Sequence, residues 1–204
     1  MIKDEIRIIG WDDCSHKSGQ KNVLVVGVVF RGGKFIDGLL STVVKKDGFD
    51  ATEKLAERIT GSRHYDQLSV IMLDGITMAG FNVVDLKELN KKTQLPVIAI
   101  LRKKPDKKRF FEAICSKNRR FFGTSKNFVL RRKKLGNSKK RLEIAKRAGK
   151  IYSYEKIFYQ KSGLSTRDCE KILSITCLHG NMPEPIRVAH LIASGLSGES
   201  RGRA

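Results

Sequence analysis

Acidic residues that directly follow short apolar runs are the first candidates for chemistry in this sequence. Asp12 follows EIRIIGW (5–11), and Asp74 follows LSVIML (68–73). If the two runs are neighbouring parallel strands, Asp12 and Asp74 converge at one edge of a sheet. Two carboxylates so close repel each other, and a hard divalent cation removes that penalty. The spacing therefore predicts a site for Mg²⁺ or Mn²⁺, although Asp74-Gly75 also has the composition of an ordinary turn.

Two further acids lie in the loop DGFD (47–50). Asp47-Gly48 has turn composition, and Asp50 stands where its side chain can cap a helix that begins at residue 51. The same acids are alternative metal ligands. We include Asp50 in the predicted ligand set with Asp12 and Asp74.

Positive charge is concentrated in one part of the chain. The 204 residues include 41 Lys and Arg against 21 Asp and Glu, a formal net charge of +20. Residues 102–150 hold 20 of those 41 basic residues and three acids, with phenylalanines between the basic runs. Such a segment suits a nucleic-acid backbone, through counterion release and base stacking, and the alternative is a solvated basic surface. We predict a nucleic acid, DNA or RNA, as the partner, with backbone contacts from Arg131, Arg132, Lys133 and Lys134.

The loop after Asp74 has the composition of a binding loop. Gly75 and Gly80 allow close approach of a ligand to the backbone. Thr77 and Asn82 carry side chains that can hydrogen-bond to a base or a phosphate. We therefore predict that these four residues contact nucleic acid.

The pattern of apolar residues predicts a mixed α/β sheet with helices on its faces, formed by one domain over residues 1–204 with a strongly basic segment at 102–150. The predicted strands span 5–11, 22–31, 35–44, 68–73, 97–101 and 128–132, with a strand-like run at 151–160. The predicted helices span 51–60, 83–93, 165–180 (capped by Ser165 and ended by Gly180) and 186–196, with two more in the basic segment.

The sequence also bears on location and assembly. The N-terminal residues lack the apolar core of a signal peptide, and no apolar run reaches the roughly 18–20 residues that span a bilayer. We therefore predict a cytoplasmic protein without a membrane partner. The apolar strand at 35–44 could pair with a second copy of the chain, or be covered within one copy.

Several motifs resemble those of a known enzyme family when they are read in order. The segment MPEPIRVAHLIAS (182–194) resembles the L-P-E-P-T-R-x-A-D-x-x-A-S pattern that ends endonuclease V enzymes. Upstream, GWD (10–12) resembles their G-x-D, LDG (73–75) their V-D-G, and PVIAILR (96–102) their P-T-I-G-V-A-K. The segments DGFDAT, LDGITMAGFN and PEPIRVAHLIAS resemble those of a related archaeal family, endonuclease dU.

This resemblance implies a ribonuclease H-like mixed sheet with helices on both faces. It also implies a Mg²⁺- or Mn²⁺-dependent endonuclease that acts in DNA repair on DNA with a deaminated base, deoxyuridine in preference to deoxyinosine. Asp12 and Asp74 would hold the cation, and His190 and Arg102 would join them as catalytic residues.

Three departures from the endonuclease V pattern keep a second interpretation open. His190 stands where that family has an aspartate, and Arg102 stands where it has a lysine. The aromatic wedge before its catalytic glutamate is missing from STVVKKDGFDAT (41–52). His190 is then an altered metal ligand, a general acid or base, or a plain helix residue. The alternative function is a non-catalytic nucleic-acid-binding protein on the same fold.

Overall fold

The computed structural model describes residues 2–115 and 137–198. Its strands, in chain order, are β1 (Arg7–Asp13), β2 (Asn22–Arg31), β3 (Phe35–Lys45), β4 (Val70–Asp74), β5 (Thr77–Met78), β6 (Asn82–Val83), β7 (Val97–Leu101), β8 (Tyr152–Tyr154) and β9 (Ile157–Ser162). Its helices are α1 (Ala51–Thr60), α2 (Leu86–Thr93), α3 (Lys107–Cys115), α4 (Ser138–Arg147), α5 (Thr166–Thr176) and α6 (Glu184–Leu196).

Seven strands form one mixed sheet in the order β3-β2-β1-β4-β7-β9-β8. The three central strands, β1, β4 and β7, are parallel, and the outer strands pair antiparallel. Parallel strands need both faces covered, which explains their continuous apolar sequences. The pairing of β1 with β4 confirms the condition on which the convergence of Asp12 and Asp74 depends.

Alternation along the central strands divides the core between the two faces of the sheet. Ile9 and Ile71 pack in one buried cluster with residues of α1 and α2. Ile8, Val70 and Ile98 pack in the other, with residues of α5. Each fully buried aliphatic side chain contributes about 1.5–3 kcal/mol, so the two clusters together hold the helices on both faces. The predicted mixed sheet with helices on both faces is confirmed.

Local signals explain where the helices begin and end. Asp85 caps α2, because its side chain accepts hydrogen bonds from the Lys87 and Glu88 backbone N–H groups. Ser165 caps α5 as predicted, but that helix ends at Thr176 and not at Gly180. The last helix begins at Glu184, two residues before the predicted start, since a proline is favourable in a first helical turn.

Strand β3 forms one outer edge of the sheet and pairs with β2. Its side chains Phe35, Ile36, Leu39 and Val43 are about half exposed, at 49–56% of their full accessible area. The predicted strand at 128–132 lies outside the described residues. Within residues 2–115 and 137–198, no helix combines the length and apolar character needed to cross a membrane.

Candidate metal centre

The two strand-end aspartates lie on the same face of the sheet for a simple geometric reason. Strands β1 and β4 pair in parallel. Ile8 lies opposite Val70, and each following residue of β1 lies opposite the corresponding residue of β4. Because side chains repeat with a period of two along a strand, Asp12 and Asp74 share the face of Ile8 and Val70. Arg102 follows β7, which pairs with β4 in the same direction.

A glycine in β1 allows the last helix to pack directly on this face. A Cβ atom at Gly10 would lie 2.4 Å from the backbone carbonyl of Pro185, closer than real carbon atoms approach. Helix α6 therefore rests on β1 at Gly10. One turn and a half further along α6, the Nδ1 atom of His190 lies 2.7 Å from Oδ2 of Asp12. The G-x-D pattern of β1 thus supplies both the packing space and the carboxylate.

Asp12, Asp74 and His190 form a compact cluster of metal-type donors. Each offers one ligand atom, and these three atoms all lie within 4.8 Å of one another. The Asp12 side chain is 9% exposed and the Asp74 side chain 18%, whereas the His190 side chain is 33% exposed. The cluster is therefore shielded by the sheet and accessible from the side of His190.

The electrostatics of the cluster favour a cation. Burial and, after it, the negative charge of Asp74 raise the pKa of Asp12 to about 7, although the hydrogen bond with His190 acts in the opposite direction. Arg102 donates a hydrogen bond of 3.0 Å to Oδ2 of Asp74. A divalent cation between the carboxylates would offset the cost of ionising the buried Asp12.

The profile of the family described as Endonuclease dU matches residues 4–197, nearly the whole chain. The chain belongs to the Endonuclease dU family. Among its relatives is the UPF0215 protein of Methanothermobacter thermautotrophicus, which is 44% identical over 209 residues that cover 100% of this chain and 94% of that protein. The relationship suggested by the ordered motifs is confirmed, and it places the chain in a family of endonucleases.

Solved structures agree with the fold of this Endonuclease dU family member. A protein of unknown function from Archaeoglobus fulgidus has a TM-score of 0.79 at 34% identity, covering 95% of this chain and 99% of that one. Endonuclease V of Ciona intestinalis, in complex with a DNA that contains an inosine, has a TM-score of 0.51 at 15% identity, covering 90% and 82% of the two chains. The endonuclease V-like mixed α/β fold predicted from the motifs is confirmed.

The structure does not bring Asp50 to the cluster. Asp50 occupies the N-cap position of α1, yet its side chain makes no capping hydrogen bond, so that part of the prediction is wrong. Its carboxylate accepts hydrogen bonds from the Lys45 backbone N–H and from the Asn82 side-chain amide. The Asn82 side-chain oxygen caps α1 instead, accepting from the Ala51 N–H at 3.1 Å. We therefore leave Asp50 out of the proposed ligand set of this endonuclease dU relative.

Asp47 has a structural role in the same region. Its side chain accepts a hydrogen bond of 2.9 Å from the Phe81 backbone N–H, and its own N–H donates to the Ala79 carbonyl. The buried guanidinium of Arg141 donates to the backbone oxygens of both Asp47 and Phe81. These bonds fasten the loop at 47–50 to the loop after β4.

The four residues predicted to contact nucleic acid divide into two groups. Asn82 is completely buried, and its amide bonds to Ala51, Lys45 and Asp50, so the prediction that it contacts a base is corrected to a structural role. Gly75, Thr77 and Gly80 are partly exposed, and both glycines adopt positive φ, which other residues rarely adopt. The predicted contacts of Arg131, Arg132, Lys133 and Lys134 lie outside the described residues.

A cavity of about 270 Å³ lies at the loop after β4, and most of its lining residues were not among the predicted site residues. It begins at Gly75 and Thr77 and extends between α3 and α4. Its other lining side chains include Lys107, Phe110, Phe111, Lys146 and Gln160. The only sequence signal for it is the mixture of phenylalanine and lysine in the basic segment, which does not indicate that these residues meet the loop after β4.

Proposed function

We propose that the protein is a metal-dependent endonuclease that cleaves DNA beside a deaminated base, deoxyuridine in preference to deoxyinosine, and so serves DNA repair. The observation that carries the proposal is the convergence of Asp12, Asp74 and His190 within 4.8 Å, in a member of the Endonuclease dU family. Strand-end carboxylates in a strongly basic protein suit a cation that bridges the protein to phosphate.

The donor set fits a divalent cation of the first row or Mg²⁺. Asp12 and Asp74 supply the carboxylate oxygens that Mg²⁺ and Mn²⁺ prefer, and the imidazole of His190 suits Mn²⁺ better than Mg²⁺. A cation held by Asp12, Asp74 and His190 would supply Lewis-acid chemistry, which would activate a water molecule and offset negative charge that develops at the phosphate. We expect Mn²⁺ to support the higher activity, because the imidazole of His190 suits Mn²⁺ better.

His190 and Arg102 have distinct proposed roles. The Nδ1 atom of His190 faces Asp12, so a proton on Nδ1 that bonds to this carboxylate leaves Nε2 as the nitrogen for a cation or a transferred proton. Arg102 donates a hydrogen bond to Asp74, and its planar guanidinium has the geometry that suits a phosphate oxygen at this edge of the sheet. The close contact with Asp12 supports a site role for His190 over that of a plain helix residue.

The cavity at the loop after β4 is the proposed site for the extruded base. Its volume of about 270 Å³, near the lower end of the range for small-molecule pockets, is sufficient for a single nucleobase. Phe110 and Phe111 supply apolar surface for the ring, and Thr77 and Gln160 supply hydrogen-bonding groups at its edge. A uracil is extruded at lower cost when it is mismatched with guanine, which adds selectivity.

The experiment is a nicking assay on labelled duplexes that carry one uracil, one hypoxanthine or neither, with RNA strands of the same sequences. Each is incubated with Mg²⁺, Mn²⁺ or a chelator. We expect metal-dependent cleavage beside uracil, lost in Asp74→Asn and retained in Asp66→Asn, which changes an exposed carboxylate. Binding of every duplex without cleavage under any metal would overturn the proposal in favour of a non-catalytic nucleic-acid-binding protein.

A further inference from the structure

A second cavity has Arg102 in its lining. It has a volume of about 220 Å³ and is lined by Arg102, Lys156, Ile157, His179, Gly180, Asn181, Met182 and Arg187. Four of these side chains carry a positive charge or can acquire one, and none is acidic. The cavity is therefore a small basic recess, which we call the basic recess below.

The charge of the basic recess is only partly compensated. The carboxylate of Glu184, 4% exposed, accepts hydrogen bonds of 2.6–3.0 Å from Arg187 and lies 3.2 Å from Nδ1 of His179. Burial alone would raise the pKa of Glu184, but these two partners lower it, so the carboxylate remains ionised. Lys156 makes no ion pair with any residue the structure describes. One buried carboxylate thus holds two of the basic groups in place and leaves the recess positive.

Two connections place the basic recess directly beside the metal centre. Arg102 lines the recess and donates to Asp74 at 3.0 Å. Arg187 lines the recess and precedes His190 by three positions on α6, so the two side chains are neighbours on one helix face. A nucleic-acid strand with one phosphate at the metal centre would therefore have a neighbouring part of its backbone close to the basic recess.

We propose that the basic recess binds an internal phosphodiester of the nucleic-acid strand, the phosphate next to the one at Asp12, Asp74 and His190. This proposal rests on the proposed function. Guanidinium groups suit phosphate because they donate two parallel hydrogen bonds, and Arg187 uses only part of its five donors on Glu184. Lys156 and His179 then supply charge from the exposed side. The recess would fix the register of the strand, and so the bond that is cut.

The test measures DNA binding in chelator, so it does not depend on cleavage. The double variant Lys156→Ala/His179→Ala changes exposed side chains, and Lys171→Ala, an exposed lysine of α5, is the matched control. We expect the double variant to lower the slope of log K against log salt by about 0.9, the value for one lost phosphate contact, while the control keeps the wild-type slope. An unchanged slope in the double variant would overturn the proposal, whether or not the nicking assay succeeds.

A second experiment locates the bound phosphate and distinguishes an internal phosphodiester from a terminal 5′-phosphate. Duplexes with one uncharged methylphosphonate at successive positions around the uracil should bind the wild-type protein about tenfold more weakly at one position, and the double variant, which keeps Arg187, should show a smaller loss there. If the variant loses as much affinity as the wild type at that position, Lys156 and His179 do not contact this phosphate and the proposal is wrong. If only a strand that ends in a 5′-phosphate distinguishes wild type from variant, the recess holds a terminal phosphate and the assignment to an internal phosphodiester is wrong.

Discussion

The Nδ1 atom of His190 lies 2.7 Å from Oδ2 of Asp12, although 178 positions separate the two residues in the chain. The contact joins the first strand of the sheet to the last helix, and it depends on the direct packing of Pro185 against Gly10. In this protein an imidazole occupies the position at which the endonuclease V pattern has a carboxylate. The proposed metal centre is therefore less negative than a centre built from three acids, and its choice of cation should differ.

Replacing this imidazole with a carboxylate should change the preferred metal. His190→Asp adds a third oxygen ligand, which suits Mg²⁺, and removes the nitrogen that suits Mn²⁺. We expect the ratio of cleavage rates in Mn²⁺ and Mg²⁺ to fall severalfold. In chelator the variant should melt at a lower temperature than wild type, because three carboxylates then repel one another.

His190→Ala is the matched control for this change. It removes the imidazole without adding a charge, so cleavage should fall with both metals and the preference should not move toward Mg²⁺. Equal metal preference in wild type, His190→Asp and His190→Ala would mean that His190 is not a ligand.

The raised pKa of Asp12 should appear in the pH dependence of stability without metal. The unfolded chain loses the Asp12 proton near its ordinary value of 3.8, whereas burial keeps the proton on the folded protein up to about 7. The folded state therefore binds more protons between these values, and its free energy of unfolding should fall as the pH rises from about 4 to about 7. Calorimetric melting in chelator across this range measures the effect.

Two variants separate Asp12 from the other acids in that measurement. Asp12→Asn cannot ionise, so its melting temperature should fall less steeply over the same pH range. Asp66→Asn removes an exposed carboxylate and should keep the wild-type trend. A wild-type melting temperature that does not fall, or that falls no more steeply than that of Asp12→Asn, would contradict the raised pKa.

Arg102 should oppose metal binding while it supports cleavage. Its guanidinium lies 3.0 Å from Asp74 and competes with a cation for that carboxylate. In Arg102→Gln we expect Mn²⁺ to bind at least as tightly as in wild type, but cleavage to slow about tenfold or more, because a charged hydrogen bond to phosphate is lost. Calorimetric titration with Mn²⁺ and single-turnover cleavage test the two effects separately. Weaker Mn²⁺ binding in this variant would show that Arg102 organises the ligands.

The sequence predicted those parts of the site that follow from local periodicity. Asp12 and Asp74 could be located because the period of two along neighbouring parallel strands fixes their face. His190 was identified through the resemblance of its motif, since nothing in helix periodicity distinguishes it. The role of Asp50 could not be predicted, because its partner Asn82 lies 32 positions away and replaces it as the cap of α1. The two cavities depend on the packing of several separate elements, which periodicity does not determine.

Asn82 should matter for stability, since its buried amide joins three parts of the chain. It caps α1 through Ala51, and it donates to the Lys45 carbonyl and the Asp50 carboxylate. Asn82→Ala leaves these buried groups without partners and should lower the free energy of unfolding by about 3 kcal/mol. Urea denaturation measures the loss, with the exposed Asn22→Ala as the control. A loss equal to that of the control would contradict this structural role.

The most direct test of the metal centre is pulsed electron paramagnetic resonance of bound Mn²⁺. Wild type should bind one Mn²⁺ tightly, with a coupling to imidazole nitrogen in its spectrum. The coupling should disappear in His190→Ala, and tight binding should be lost in Asp12→Asn and Asp74→Asn. A wild-type spectrum identical to that of free aqueous Mn²⁺, or one unchanged in these three variants, would show that Asp12, Asp74 and His190 do not form a metal centre.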